Sequence, residues 1–574
     1  MGNEKYIEYL NSLHNYNAQN SNAYGEKNVG NEFFQEVAVE VGLCAYIEKQ
    51  LLEAEPHVLI LTGHAGDGKT SIMYQVLKKF GIEFDANEKI TEIVLPNKKK
   101  CQCIKDFSEL SDDEKLSTLK KCITLPEKGE YGFVVSNTGP LINTFGDLFE
   151  SDRSETAKIE LIDAMDENSG DIKEIEGYKL GIINVASVDN TGFAVEFVKN
   201  IIKDSLWSKC STCEKCSYCH IYKNMNLIKS NQQPVLEFIK RHYIWMVEHG
   251  IRLTIRSMTE QLAYMITGGV ECERIIPIEE HKMLFFNLFF GYIGVKNNKR
   301  ADNILAVREA KKCGYDKKRL RADEKLVIDC DYTVSFGNDI SNILFEAQKN
   351  DRYVSGWIEF LRRAYIFTNI ETDKEKKSRD TEDIFSKQFE RYLELRDGNT
   401  VPARNDTNLI IDALSKMYIG KVTADNLTEI PITLNKSSGL MQNVQLVTGL
   451  INTRRMSLVK KKTRDSKFDI NHERYELHLR VDKKELDNII SLPMLDYFEE
   501  LRNGIISTNI DPQLSHGVES LKAQIARKCN EEDDEIIEMN VLKNNGIVDY
   551  QLEVTEENEI SLVKEIHYGQ HLSN

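Results

Sequence analysis

The chain has no apolar run long enough to cross a membrane. Its longest, Met283-Leu284-Phe285-Phe286-Asn287-Leu288-Phe289-Phe290, falls far short of the ~20 apolar residues that a spanning helix needs. The opening Met1-Gly2-Asn3-Glu4-Lys5 lacks the basic and apolar regions of a secretory leader, and Tyr6 stands where a myristoylated start wants Ser or Thr. The expected location is the cytoplasm, with no membrane partner. Positive charge is also short: 74 Lys and Arg against 91 Asp and Glu leave a net charge of −17. That balance excludes a protein whose whole surface coats nucleic acid. No internal repeat recurs, and no acid-and-lysine pattern of a DNA-cutting site occurs. What remains is ordinary globular material, 41% hydrophobic and 29% charged over 574 residues, enough for about three domains.

Against that background one motif stands out. Residues His57 to Thr70 run from an apolar strand, Val58-Leu59-Ile60-Leu61, into Gly63-His64-Ala65-Gly66-Asp67-Gly68-Lys69-Thr70. The spacing G-x-x-x-x-G-K-T belongs to a phosphate-binding loop. Glycines let the backbone curl until several amide N–H groups face one anion. The loop from Gly63 to Ser71 is therefore the candidate nucleotide cradle, with Lys69 reaching the β- and γ-phosphates and Thr70 ligating Mg²⁺. A helix predicted over Ser71 to Phe80 aims the positive end of its dipole at the same phosphates.

Four of the twelve cysteines crowd into ten residues, Cys210, Cys213, Cys216 and Cys219, with His220 adjacent. In a cytosolic chain such spacing reads as metal ligation, and a four-thiolate set suits tetrahedral Zn²⁺. An Fe–S cluster also uses repeated C-x2-C steps, although its usual longer last gap and following Pro are missing. A metal-free cluster is the third reading. The other eight cysteines, Cys272 among them, are scattered and read as small apolar core residues.

Hydrolysis needs an acid near Mg²⁺ and residues that sense the γ-phosphate. Cys101 to Asp106 reads as a strand ending in an acid, with Asp106 toward the metal and Glu109 as a base for water. The same residues also read as a surface turn that starts a helix at Ser108. Phe133-Val134-Val135-Ser136 is a buried-strand run followed by Asn137, either a γ-phosphate sensor or part of a plain turn. Leu180 to Val188 adds a further strand, for a parallel sheet of four or five. Arg256, at the start of a helix predicted over Ser257 to Thr267, is either a lid arginine for the γ-phosphate or a partner of Glu260 one turn on. Lys325-Leu326-Val327-Ile328-Asp329-Cys330-Asp331 is a second strand-plus-acid pattern, placed by its distance along the chain in another sheet.

Taken in order, these motifs resemble an AAA+-type ATPase, with Asn137 as its first sensor and Arg256 as its second. More narrowly, the chain over residues 30–295 resembles the DptF family of DNA phosphorothioation-dependent restriction proteins. The resemblance is carried by Leu61 to Thr70, Ile104-Lys105-Asp106-Phe107-Ser108-Glu109-Leu110, Ser136-Asn137-Thr138-Gly139, Leu253-Thr254-Ile255-Arg256, and the cysteine clip between Trp207 and Asn224. It implies ATP and Mg²⁺ as cofactors and a role as the ATPase of an antiphage restriction complex. It also implies partner subunits that include a helicase-like ATPase, with DNA cleavage elsewhere in the complex. Two other classes fit the loop: a nucleotide-switched signalling scaffold, and a replication or helicase-loader ATPase. An oligomer is expected, since an arginine finger would have to come from another subunit.

The expected fold class is α/β: a P-loop NTPase (AAA+-like) parallel-sheet core with a helical lid, plus an α+β C-terminal region. The expected division is a loose arm over 1–30, the ATPase core over 31–205, and the four-cysteine insert over 206–224. A helical lid over 225–300, a mostly helical middle over 301–420 and a C-terminal interaction domain over 421–574 complete it. Helices are predicted over Glu32 to Glu53, Pro234 to Glu248, His281 to Tyr292, Trp357 to Tyr365 and Leu492 to Arg502. Strands are predicted over Asn443 to Thr453 and Tyr475 to Val481. Two basic clusters are either DNA contacts or solvated surface. One comprises Arg454, Arg455, Lys460, Lys461, Lys462, Arg464 and Lys467, and the other Lys311, Lys312, Lys317, Lys318, Arg319 and Arg321.

Overall fold

Val58–Thr62 (β1) is buried along its whole length in a computed structural model of the chain. The structure describes residues 3–16, 31–82, 88–277, 281–330, 332–370, 382–398, 400–419, 428–433, 444–463, 467–468, 473–505, 510–529, 536–543, 546–554 and 560–568. The chain divides into two compact units, residues 1–385 with 464–472, and residues 386–463 with 473–574.

The first unit is α/β. Five further strands, β2 (Ile90–Val94), β3 (Lys100–Ile104), β4 (Tyr131–Val135), β5 (Ile172–Ile175) and β6 (Tyr178–Asn184), join β1 in the order β2-β3-β4-β1-β6-β5. The four inner strands β3, β4, β1 and β6 run parallel. Both edge strands are antiparallel to their neighbours, so the sheet is six-stranded and mixed rather than the four or five parallel strands expected. The physical reason is local. Glu176 and Gly177 hold φ of 50° and 86°, the backbone of a tight two-residue hairpin that returns β5 directly into β6. Alternate residues of β1 face opposite sides. Val58 and Ile60 pack with Val134, Phe145 and Ile182, while Leu59 and Leu61 pack with Ile72, Val76 and Phe133.

The arm expected over 1–30 is ordered where it is described. Glu4–Ser12 is a helix (α1) with Tyr6, Ile7, Tyr9 and Leu10 buried; residues 17–30 lie outside the described residues. The apolar side chains recur at helical spacing, and the polar residues hook the helix down. Tyr6 Oη donates to Ile201 O at 2.9 Å and Asn11 Nδ2 to Val270 O at 3.0 Å. The single helix expected over Glu32 to Glu53 is two, α2 (Phe34–Val37) and α3 (Gly42–Glu53). The break forms because side chains take the carbonyls between them: Asn200 Nδ2 bonds Ala38 O and Gln75 Nε2 bonds Val39 O.

After β1 come α4 (Lys69–Lys79), then α5 (Thr138–Gly146) beyond β4 and α6 (Thr191–Ile201) beyond β6. Three helices follow the core: α7 (His220–Ser230), α8 (Gln232–Glu248) and α9 (Ile255–Thr267). The helix expected over His281 to Tyr292 reduces to Phe285–Leu288 followed by a two-residue hairpin, Tyr292–Ile293 with Lys296–Asn297. Gly291 and Gly294 at φ of 70° and 57° end it. The pattern at Lys325 to Asp331 is not a strand. Glu324–Ile328 is a single π-helical turn with only Leu326 buried and Ile328 72% exposed, so Asp329 does not end a sheet strand; Asp331 lies outside the described residues. The middle region is helical, including Asn338–Asp351 and Trp357–Thr368.

In the second unit the helices Phe389–Arg396 and Arg404–Ile419 accompany antiparallel sheets of five and three strands. Strands Val444–Asn452 and Tyr475–Val481 and helix Leu492–Arg502 fall where expected. Among the described residues no helix is long and apolar enough to cross a membrane.

Candidate functional site

The loop after β1 is built by its own side chains. Gly63 has φ of 143°, and a Cβ there would stand 2.9 Å from Asp67 Oδ2. Gly66 has φ of 91°, and a Cβ would press on Thr254 Oγ1 and Arg256 Cβ. Both positions therefore require glycine. The buried Asp67 carboxylate accepts from the His64 N–H at 2.8 Å and from Arg252 Nη2 at 2.9 Å. Lys69, only 7% exposed, opens α4. Its ammonium donates to His64 O at 2.7 Å, Gly63 O at 3.3 Å and Asn137 Oδ1 at 3.1 Å. Burial pulls its pKa below the usual lysine value. The charges of Asp67 and Asp106 oppose that shift, and those of Arg256 and Arg252 add to it.

Asp106 lies two residues past β3 and caps a short 3-10 turn, Phe107–Glu109, its Oδ1 accepting from the Ser108 N–H at 2.9 Å. Ser108 Oγ in turn accepts from the Asn137 N–H at 2.9 Å. Asp106 thus follows a core strand and starts a turn. Asn137 likewise precedes α5 while its side chain meets Lys69. Arg256, whose N–H donates to Gly66 O at 3.1 Å, ties the start of α9 to the loop. Glu260, one turn further, is raised by burial to about 7 while the Arg256 charge pulls it down. Its Oε1 accepts from Asn15 Nδ2 at 3.3 Å.

Part of this set borders one cavity of about 620 Å³. Ala65, Gly66, Gly68, Lys69, Thr70 and Ser71 line it from the loop, and Asp106, Glu109, Asn137 and Arg256 from elsewhere. Gly63, His64 and Asp67 are not on its wall; they shape the loop instead. The remaining wall is mostly apolar and escapes the sequence reading: Tyr9 and Leu13 of the N-terminal segment, Phe34, Val39, and the stacked pair Phe193 and Phe197, 5.6 Å apart, with Gln75 and Thr259 among them. Arg252 was also not foreseen, although it brackets Thr254 and Arg256 in sequence. The helical spacing of Tyr6, Tyr9, Leu10 and Leu13 is the one signal that pointed to α1.

The four clustered cysteines sit on successive tight turns, with Cys213 N–H donating to Cys210 O at 3.2 Å and Cys216 N–H to Cys213 O at 2.9 Å. Cys219 Sγ accepts from the Tyr222 N–H at the start of α7. Burial raises the thiols of Cys210 and Cys219. Cys272, expected to be an isolated core thiol, stands with them. Burial pushes it up to about 12, and Cys219, Cys210 and Cys213 add to the shift. His220 lies apart, its Nε2 3.2 Å from Thr267 O. Among the described residues no group of three or more His, Cys, Asp or Glu side chains already stands at metal-holding geometry. The donor chemistry nonetheless suits a soft ion: thiols converging in an apolar surround.

Many members of the two basic clusters have acidic or carbonyl partners. Arg455 pairs with Asp482, Lys462 with Glu473 and Lys467 with Asp171, and Lys460 donates to Gly398 O and Thr400 O. In the other cluster Lys311 pairs with Asp302, Lys312 with Glu309, and Arg321 with Glu382 and Asp383. Arg464 lies outside the described residues. No family model, no curated protein and no solved structure matches the chain.

Proposed function

We infer that the first unit is a P-loop NTPase of AAA+-like type that binds and hydrolyses ATP. One observation carries this reading: Lys69, Thr70, Asp106, Asn137 and Arg256, from four separate stretches, line the same cavity. That cavity lies at the C-terminal ends of β1, β3 and β4. The chain leaves β1 for strands on one side and returns to β6 on the other, the crossover point at which open parallel sheets bind ligands. The cavity volume falls in the range of small-molecule sites, with one wall polar and one apolar. The triphosphate would lie along the loop amides, and the base against Tyr9, Phe34 and their neighbours.

Each side chain then has a task. The Lys69 ammonium would move from the His64 and Gly63 carbonyls onto the β- and γ-phosphate oxygens. Thr70 and Asp106 would hold Mg²⁺, which neutralises charge between those phosphates when bound. Glu109 and Asn137 orient the attacking water, with Glu109 accepting its proton. Arg256 offsets charge on the γ-phosphate, and a neighbouring subunit would supply an arginine finger. The narrower setting, an ATPase subunit of a DNA phosphorothioation-dependent restriction complex working with a helicase-like partner, is supported by the order of the motifs.

Phosphate release by the full chain with ATP and Mg²⁺ tests the reading. Lys69→Ala should abolish both binding and turnover. Asp106→Asn should leave ATP affinity within a few-fold and lower turnover by about 100-fold or more. Turnover unchanged by Asp106→Asn would remove Asp106 from the metal.

A further inference from the structure

A second, small cavity is lined by five cysteines, Cys210, Cys213, Cys216, Cys219 and Cys272, none of which borders the nucleotide cavity. Its volume is about 30 Å³, room for a single ion or water. Ile7, Trp207, Ile221 and Ile275 add apolar surface, and Lys215 and Tyr222 complete the wall. We propose that Cys272 is a ligand of one zinc ion, completing a thiolate set with cysteines of the 210–219 turns.

The geometry fixes Cys272 in place independently of any ion. Lys215, inside the turn series, donates from its ammonium to Cys272 O at 2.8 Å and to Glu273 O at 3.0 Å. The segment after α9 is thereby clasped to the cysteine turns through its backbone, leaving its thiol free to turn into the cavity. Ligands three residues apart wrap one side of an ion, and a cysteine from a distant stretch closes the set, as in other repeated C-x2-C centres. Ligation turns the sulfurs inward about their Cα–Cβ bonds between staggered wells. Each ligating thiol gives its proton to solvent, so binding weakens as pH falls. The ion would join three elements: the cysteine turns, the end of α9, and α1 through Ile7. Since α9 carries Arg256 and α1 precedes Leu13 on the nucleotide wall, zinc would set the lid against the loop.

Metal analysis of the full chain purified with zinc tests this without reference to turnover. The wild type should hold one zinc per chain against a moderate chelator, and Cys272→Ser should bind it about 100-fold more weakly or worse. Cobalt in place of zinc should show weaker sulfur-to-metal charge-transfer bands in Cys272→Ser, while Cys272→His should restore stoichiometric metal with a shifted spectrum. Should Cys272→Ser fail to fold, alkylation of the wild type decides. Cys272 should be protected with zinc bound and labelled after chelation. Full zinc retention and an unchanged cobalt spectrum in Cys272→Ser would overturn the proposal. So would equal labelling of Cys272 with and without zinc, a wild type that takes up neither ion, or iron with sulfide in place of zinc.

Discussion

Glu260 shows how one buried charge couples the lid to pH. Its carboxyl ordinarily titrates at 4.5, and burial raises it to about 7 in the folded chain. Below pH 4.5 it is neutral in both states. Between 4.5 and 7 the unfolded chain releases the proton while the folded chain keeps it, so stability falls as pH rises across that window and then levels. The loss amounts to about 3 kcal/mol. Glu260→Gln removes the titration, so chemical denaturation at pH 5 and pH 8 should show the variant gaining on wild type at the higher pH. Equal differences at both values would contradict the assignment. Other residue positions were legible to different degrees. That Lys69 and Thr70 border the cavity follows from spacing, because the loop is local. Arg252 did not, because its role depends on Asp67, which meets it only through the fold. Asp106 and Asn137 were each read two ways, and both readings describe the same side chains: a turn-capping residue at the end of a strand also faces the cavity.

Among the elements, α1 matters most for the account. The Asn-, Tyr- and Gly-rich stretch over 1–30 that contains it reads as a loose arm. Tyr6 and Asn11 instead hydrogen-bond the carbonyls of Ile201 and Val270 in the same unit, and the Tyr and Leu side chains are buried. Composition alone cannot separate these cases; the i, i+3, i+4 spacing can. Tyr9→Ala should lower ATP affinity by about 10-fold through lost aromatic contact with the base, with kcat little changed at saturating ATP. Unaltered affinity would place the base elsewhere. The core strands were legible for the converse reason: β1 and β4 are buried on both faces and read as continuous apolar runs. The edge strands were not. β2 carries exposed Ile90 and Val94, and β5 depends on a Glu-Gly hairpin whose turn propensity is modest. That Cys272 lines the cavity of the four clustered cysteines is not legible in sequence, because it lies on another stretch of the chain.

At the scale of the whole molecule, two units each have their own sheets, and the first carries every proposed nucleotide contact. Residues 464–472 belong to this unit although they lie far along the chain. Phe468 is buried there against Tyr46, with ring centroids 5.0 Å apart. No sequence pattern announces such an insertion. The net charge of −17 and the many ion pairs within both basic clusters mean that many of their cations already face acidic groups. The central claim is that the loop amides and Lys69 hold the phosphates of ATP. Equilibrium titration of the purified full chain with labelled ATP and Mg²⁺ tests it most directly. The account predicts saturable binding of one nucleotide per chain, lost in Lys69→Ala while the variant keeps its fold; no binding by the wild type, or equal binding by the variant, would contradict it.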